Sequence, residues 1–126
     1  MIPCVRIKEG VQFTKIAPGG FVILAAFYHA AQVIAHDITI TSACDGAHSG
    51  VDDPHHRGEA YDARSKDLPD KHLALQAMKD FAGERFFFWI EDEGRDNEHV
   101  HGQVKKGTVY PPPALPHVLD AELGVG

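Results

Sequence analysis

The chain is short of several things, and each shortage closes off a class of function. Two cysteines in 126 residues, Cys4 and Cys44, are too few for a disulfide framework, which excludes a small cross-linked secreted scaffold. Both thiols are expected to be buried small hydrophobes rather than bridges or ligands, with Cys44 the more interesting because it lies near His48. Basic residues are outnumbered, 12 Lys and Arg against 18 Asp and Glu for a net charge of −6. That removes the basic face of a nucleic-acid binder and any pull toward an anionic membrane or cell wall. The longest apolar run, near Phe21 to Phe27, is far too short to cross a bilayer, so no membrane insertion is expected. Charges at Arg6, Lys8 and Glu9 interrupt any signal-peptide core. The chain is therefore expected to be made in the cytoplasm and to reach other compartments only with outside help. No internal repeat or low-complexity tract is visible.

What remains is an ordinary globular composition, 44% hydrophobic and 24% charged, in a chain long enough for one core. Residues 1–108 are read as the folded domain. Residues 109–126 are read as a tail, since prolines 111 to 113 stop regular structure. Val5 to Ile7 and Val11 to Phe13 read as short strands around the Glu9-Gly10 turn. After Pro18-Gly19-Gly20, apolar residues at Phe21, Leu24, Ala25, Tyr28, Ala31 and Ala35 recur at helical spacing. Asp37 to Thr41 alternates as a strand, and Glu59 to Arg64 reads as another, with Ala60, Asp62 and Arg64 on one face and Glu59, Tyr61 and Ala63 on the other. A second helix opens at Pro69-Asp70, buries Leu73, Ala77, Met78 and Phe81, and ends at Gly83. Phe86 to Ile90 reads as a central buried strand, joined by a polar turn to His99 to Lys105 in an antiparallel hairpin. The order predicts an α+β fold, an antiparallel sheet with two helices packed on it.

The abundant residue is histidine, nine in all, seven of them between His48 and His117. Their spacing carries the information. A catalytic zinc site needs three nitrogen, oxygen or sulfur ligands and one open position. His55 and Asp62 lie seven apart, so a turn at Gly58, free to bend without a Cβ, brings the chain back along a strand and aims both side chains inward. Ala60 shares the strand face of Asp62, where a larger side chain would crowd a metal. The third ligand must come from a distant segment, and His101 is the best candidate. Glu98, three residues earlier, is placed as general base for a water whose pKa zinc lowers to roughly 7. His99 shares a strand face with His101 and either approaches the metal or holds substrate at the rim. His48 and His56 are weaker rim candidates, and His29, His36, His72 and His117 are expected to be solvated.

The run His55-x-x-Gly58-x-Ala60-x-Asp62, followed by Glu98-x-x-His101, resembles the zinc peptidases of the D-alanyl-D-alanine carboxypeptidase and dipeptidase family, which includes phage L-alanyl-D-glutamate endolysins. The resemblance covers about residues 38 to 106. Ile40-Thr41-Ser42 is similar to the strand that precedes the motif in that family. Glu98 to Lys105 resembles the His-x-His strand of hedgehog signalling domains, which share the scaffold. The resemblance implies hydrolysis of peptide bonds in bacterial peptidoglycan stem peptides and a phage or prophage origin. It implies Zn²⁺ on His55, Asp62 and His101, with Glu98 activating water.

The chain departs from the family at two places. Asp53 stands where many members have serine two residues before the first histidine. Asp45 stands where many carry an arginine for the substrate carbonyl or carboxylate, so Arg57, Arg64 or His99 would have to serve instead. In hedgehog-like members the water-side glutamate lies farther upstream, which brings in Glu91 or Glu93. The run Asp45-Gly46-x-His48 is similar to compact phage-type members. The expected protein is a monomeric zinc peptidase, with His99, Arg57 and His48 as substrate contacts. The alternative is a zinc-containing binding or virion module that has lost hydrolysis.

Overall fold

The computed structural model describes residues 2–44 and 53–108. His48 and Asp45, the tail 109–126 and His117 lie outside them. In chain order the elements are β1 (Val5–Ile7), α1 (Pro18–Ile34), β2 (Ile38–Ser42), β3 (Ala60–Arg64), α2 (Lys71–Ala82), β4 (Phe86–Glu91) and β5 (His99–Val104). The expected α+β fold with two helices is present. The five strands form one sheet in the order β1-β2-β3-β5-β4. It is mixed rather than antiparallel throughout: β1 runs parallel to β2, because α1 intervenes and carries the chain back to the same end. The remaining pairs are antiparallel. Val11 to Phe13 is not a strand; Phe13 instead packs its ring 5.4 Å from that of Tyr61.

Both helices pack against each other and against the same face of the sheet, enclosing Ile23, Phe27, Ile38, Ile40, Tyr61, Met78, Phe88 and Val100. α1 begins three residues earlier than its periodicity suggests, with Pro18 in the first turn, where a missing N–H costs nothing. Its buried face is Ile23, Ala26, Phe27, Ala30 and Ala31, while Phe21 and Tyr28 are exposed. The helix carries no Asp, Glu, Lys or Arg, so its sequence has no charged stripe to mark the outer side. In α2 the buried residues are Ala74, Ala77 and Met78, whereas Leu73 and Phe81 are exposed. Phe81 is covered in part by the ring of His29, 5.3 Å away. Cys4 is exposed rather than buried, and Cys44 is half-buried. Among the described residues, no helix is long and apolar enough to cross a membrane.

Two close approaches fix the loop before β3 onto the start of α1. Gly58 has φ +71°, and a Cβ there would sit 2.5 Å from the Lys15 carbonyl oxygen. Gly20 faces it across the contact, with room for no Cβ beside the Gly58 oxygen or the Tyr61 hydroxyl. The Gly58 carbonyl accepts from the Ala17 N–H and from the Tyr61 hydroxyl. Both glycines are thus required by backbone proximity, and the loop that carries His55 is held against the helix.

Candidate metal centre

Strand alternation divides β5 between two tasks. Val100, Gly102 and Val104 turn toward the helices. Gly102 admits the Phe88 ring so closely that a Cβ would lie 2.7 Å from it. His99, His101 and Gln103 therefore project from the opposite, helix-free face. The register sets Asp62 of β3 and Trp89 of β4 on either side of His101, and Arg64 and Glu91 on either side of His99. The pairing of β2 with β3 shifts by one residue between Ile40 and Ser42, placing Ser42 opposite Asp62. Such a bulge re-aims the chain at a strand end. Just beyond it, the Ala43 carbonyl reaches His55.

Three donors converge on this face. The backbone N–H of His55 donates to Asp53 Oδ1 at 2.8 Å, and its ring Nδ1–H donates to the Ala43 carbonyl at 2.9 Å. That leaves Nε2 directed at Asp62 Oδ1, 3.5 Å away. His101 presents Nδ1 to the same oxygen at 2.8 Å, while its Nε2–H donates to Gln103 Oε1 at 2.8 Å. The three donor atoms lie within 4.8 Å of one another, with both histidines buried and Asp62 half-buried. The imidazole rings meet edge-on at 5.1 Å, and Trp89 covers His101 with ring centroids 4.5 Å apart.

Burial by itself would lower the pKa of His101, but its hydrogen bonds to Asp62 and Gln103 and the charges of Asp62 and Glu91 outweigh it and raise the pKa. Both ring nitrogens face acceptors, which favours the doubly protonated ring. A divalent cation would take the place of the Nδ1 proton while Gln103 went on orienting the ring, an arrangement typical of metal-bound histidine. Two imidazoles and one carboxylate, each oriented by a second hydrogen bond or by burial, fit the three-ligand set of a catalytic zinc site.

No known protein family, curated protein or solved structure matches this chain. The site stands on its own geometry.

The sequence-derived triad His55, Asp62 and His101 is thus brought together, and Asp62 and Ala60 share the open face as expected. Glu98 behaves differently. It is almost wholly buried, and its carboxylate accepts from Lys71 Nζ at 2.8 Å, the Ser65 hydroxyl at 2.6 Å and the Gly94 N–H at 2.9 Å. Lys71, then Ser65 and Gly94, hold its pKa down to about 2. A carboxylate so acidic and so fully engaged is a poor proton acceptor; it fastens the β4–β5 turn to β3 and α2. Glu93 also turns toward α2, pairing with Lys71 and His72.

Glu91 occupies the place beside the triad. Its Oε2 lies 3.1 Å from His99 Nε2, its Oε1 accepts from the Trp89 indole N–H at 2.9 Å, and His99 Nε2 is 3.9 Å from Asp62 Oδ2. His99 donates its Nδ1–H to the Asn97 carbonyl at 2.8 Å, so it adjoins the triad without facing its centre. Arg57 turns away to Glu59, 2.7 Å distant, beside a separate cavity lined by Gln103, Lys105 and Thr108.

Trp89 is the site residue that the sequence hid. The run Phe86 to Ile90 reads as a buried central strand, yet β4 is a sheet edge on which Phe87 and Trp89 are exposed. The spacing of Trp89 and Glu91, two apart on one strand face, is the available signal, since it puts a carboxylate within reach of the indole N–H.

Proposed function

We propose that the chain is a zinc-dependent peptidase acting on bacterial peptidoglycan stem peptides. The observation that carries this reading is the convergence of His55 Nε2, Asp62 Oδ1 and His101 Nδ1, with the opposite nitrogen of each ring tied to a fixed acceptor. Two of these ligands come from one loop-and-strand and the third from a hairpin, as the resembling family's pattern requires. When bound, zinc supplies a Lewis acid and a water of pKa near 7.

The protein's part in the reaction follows from the open face. Glu91 stands against His99 beside the triad, and in this reading its Oε2 takes a proton from the attacking water. His99 Nε2, 3.1 Å away, holds that proton and returns it toward the leaving amine. The indole of Trp89 keeps Glu91 in place and excludes water from the outer side of His101. Arg64, opposite His99 on the same face, stands nearest to the role of the family arginine, polarising the substrate carbonyl.

The test is a zinc assay followed by digestion of purified peptidoglycan. Wild type should carry about one zinc per chain, and His101→Ala should lose it. Wild type should release new amino termini, and Glu91→Gln should retain zinc while losing hydrolysis. A protein that cannot be loaded with zinc refutes the reading.

A second reading is a zinc-containing binding or virion module without hydrolysis. The locking of Glu98 by Lys71, Ser65 and Gly94 favours it, because the carboxylate of the motif's own glutamate is already engaged. Zinc at one per chain with no cleavage by wild type would select it.

A further inference from the structure

A second set of donors stands beside the triad, where β4 ends and β5 begins. Glu91, Asp92 and His99 each place one donor atom within 4.8 Å of the other two. The β4–β5 register sets Glu91 opposite His99, and Asp92 follows Glu91 in the chain.

Each of these side chains is oriented from outside the set. His99 Nδ1–H donates to the Asn97 carbonyl at 2.8 Å, which turns Nε2 toward Glu91 Oε2, 3.1 Å away. Glu91 Oε1 accepts from the Trp89 indole N–H at 2.9 Å, and Asp92 Oδ2 accepts from the Asn97 side-chain amide at 2.9 Å. An imidazole tied through one nitrogen to a backbone carbonyl is the usual setting of a metal-bound histidine. With the Nδ1 proton engaged, His99 Nε2 and Glu91 Oε2 bring two lone pairs together unless a cation or a proton lies between them. The charges point the same way. Among the described residues neither Glu91 nor Asp92 meets a lysine or arginine, so two carboxylates share the corner with only an imidazole. Asp62 adjoins both sets, with Oδ1 in the triad and Oδ2 3.9 Å from His99 Nε2.

We propose that Glu91, Asp92 and His99 form a second divalent-cation site, weaker than the triad and next to it. One nitrogen and two carboxylate oxygens suit zinc or manganese, whereas magnesium and calcium favour sets made of oxygen alone. Two negative charges match one divalent ion. Asp92 is exposed and the Glu91 side chain is 39% exposed, so water competes here, and protein purified away from free metal keeps the triad's ion alone. In the peptidase reading this second ion occupies the Glu91–His99 pair that moves the proton, so excess zinc switches hydrolysis off. That regulatory consequence rests on the peptidase reading, whereas the site itself does not.

The experiment titrates zinc alone into metal-free protein by calorimetry, with bound metal counted by elemental analysis. Wild type should show two events of about one ion each, the second roughly tenfold or more weaker. His101→Ala should lose the tight event. His99→Ala should abolish the weak one, and Asp92→Asn should weaken it about tenfold, because affinity follows the charge of the ligand set. Both should keep the tight event. Asparagine tolerates the left-handed backbone of Asp92, at φ +53°, so this variant should fold. Hydrolysis by wild type should rise to one equivalent of zinc and fall as the second ion binds, and Asp92→Asn should need correspondingly more zinc for the fall. A single event in wild type, or a weak event that both variants leave unchanged, overturns the inference. Full hydrolysis with the second ion bound overturns its regulatory consequence. A weak event lost with His99 and weakened with Asp92, in a protein that cleaves nothing, supports the site and removes the peptidase reading. Cleavage at one equivalent without a second event does the reverse.

Discussion

Replacing Glu98 by glutamine separates the two roles a glutamate three residues before a metal histidine can have. In the structure its side chain is 2% exposed and bonded to Lys71, Ser65 and Gly94. Its pKa falls from 4.5 to about 2, chiefly through Lys71, then Ser65 and Gly94. A shift of that size corresponds to about 3 kcal/mol of folding free energy. Lys71 is 28% exposed, so water screens part of the pairing, and about 2 kcal/mol is the working figure. Glu98→Gln should therefore lower stability by roughly that amount in urea titration at pH 7, with a fall in Tm of roughly 6–10 °C. Because the folded-state pKa is depressed, the wild-type advantage is full above about pH 4.5 and disappears as pH falls toward 2. Zinc content should be unchanged, and hydrolysis should fall only modestly while the variant is folded. A Glu98→Gln protein as stable as wild type but devoid of activity would refute the reasoning and return Glu98 to the water.

Three further outcomes are expected. Gly58→Ala should cost at least about 2 kcal/mol, from a positive φ and a Cβ set against the Lys15 carbonyl, and should weaken zinc binding through His55; equilibrium dialysis and thermal melts read both. Glu91→Gln should retain zinc while lowering kcat by roughly 10²- to 10⁴-fold, the usual scale of general-base catalysis; undiminished turnover would remove Glu91 from the reaction. Zinc affinity should fall with acidification, because the raised pKa of His101 makes a proton on Nδ1 a stronger competitor for the metal. In zinc-free protein the sign reverses. The His101 contribution to stability is full below its unfolded value near 6.5 and is lost as pH rises through the raised folded value. Competition with a chelator across pH 5 to 8 measures the first, and urea titrations the second.

The triad was legible in the sequence because its constraints are local and covalent. His55 and Asp62 lie seven apart, a glycine occupies the one position between them with φ above zero, and period-two alternation fixes the facing of Asp62 and of His101. Which carboxylate lies beside the triad was not legible, because Glu91, Glu93 and Glu98 all sit within reach of one hairpin. Their facing depends on where the turn ends and on Lys71, which arrives from a helix distant in the chain. The helix faces were misread for a related reason. An uncharged helix such as α1 offers several apolar stripes, and only the partner surfaces choose Ile23 and Phe27 over Phe21 and Tyr28. Strand β4 reads as central because its sequence is apolar on both faces. Its edge position leaves Phe87 and Trp89 outside, covered in part by Lys105 and His101.

The alternation along β5 has a consequence for how this protein can vary. Residues of the candidate metal site and residues that hold the fold are interleaved one by one, yet they lie on opposite sides of the sheet. Exchanges at Arg64, Trp89, His99 or Gln103 change the helix-free face while the helices and core go on as before. A single-residue slip of β5 against β3, whose register sets His101 opposite Asp62, has no such freedom. It would carry His101 into the apolar layer, turn Val100 and Val104 to solvent and force Gly102 off the Phe88 ring. Loss of that register and loss of the candidate metal site are one event.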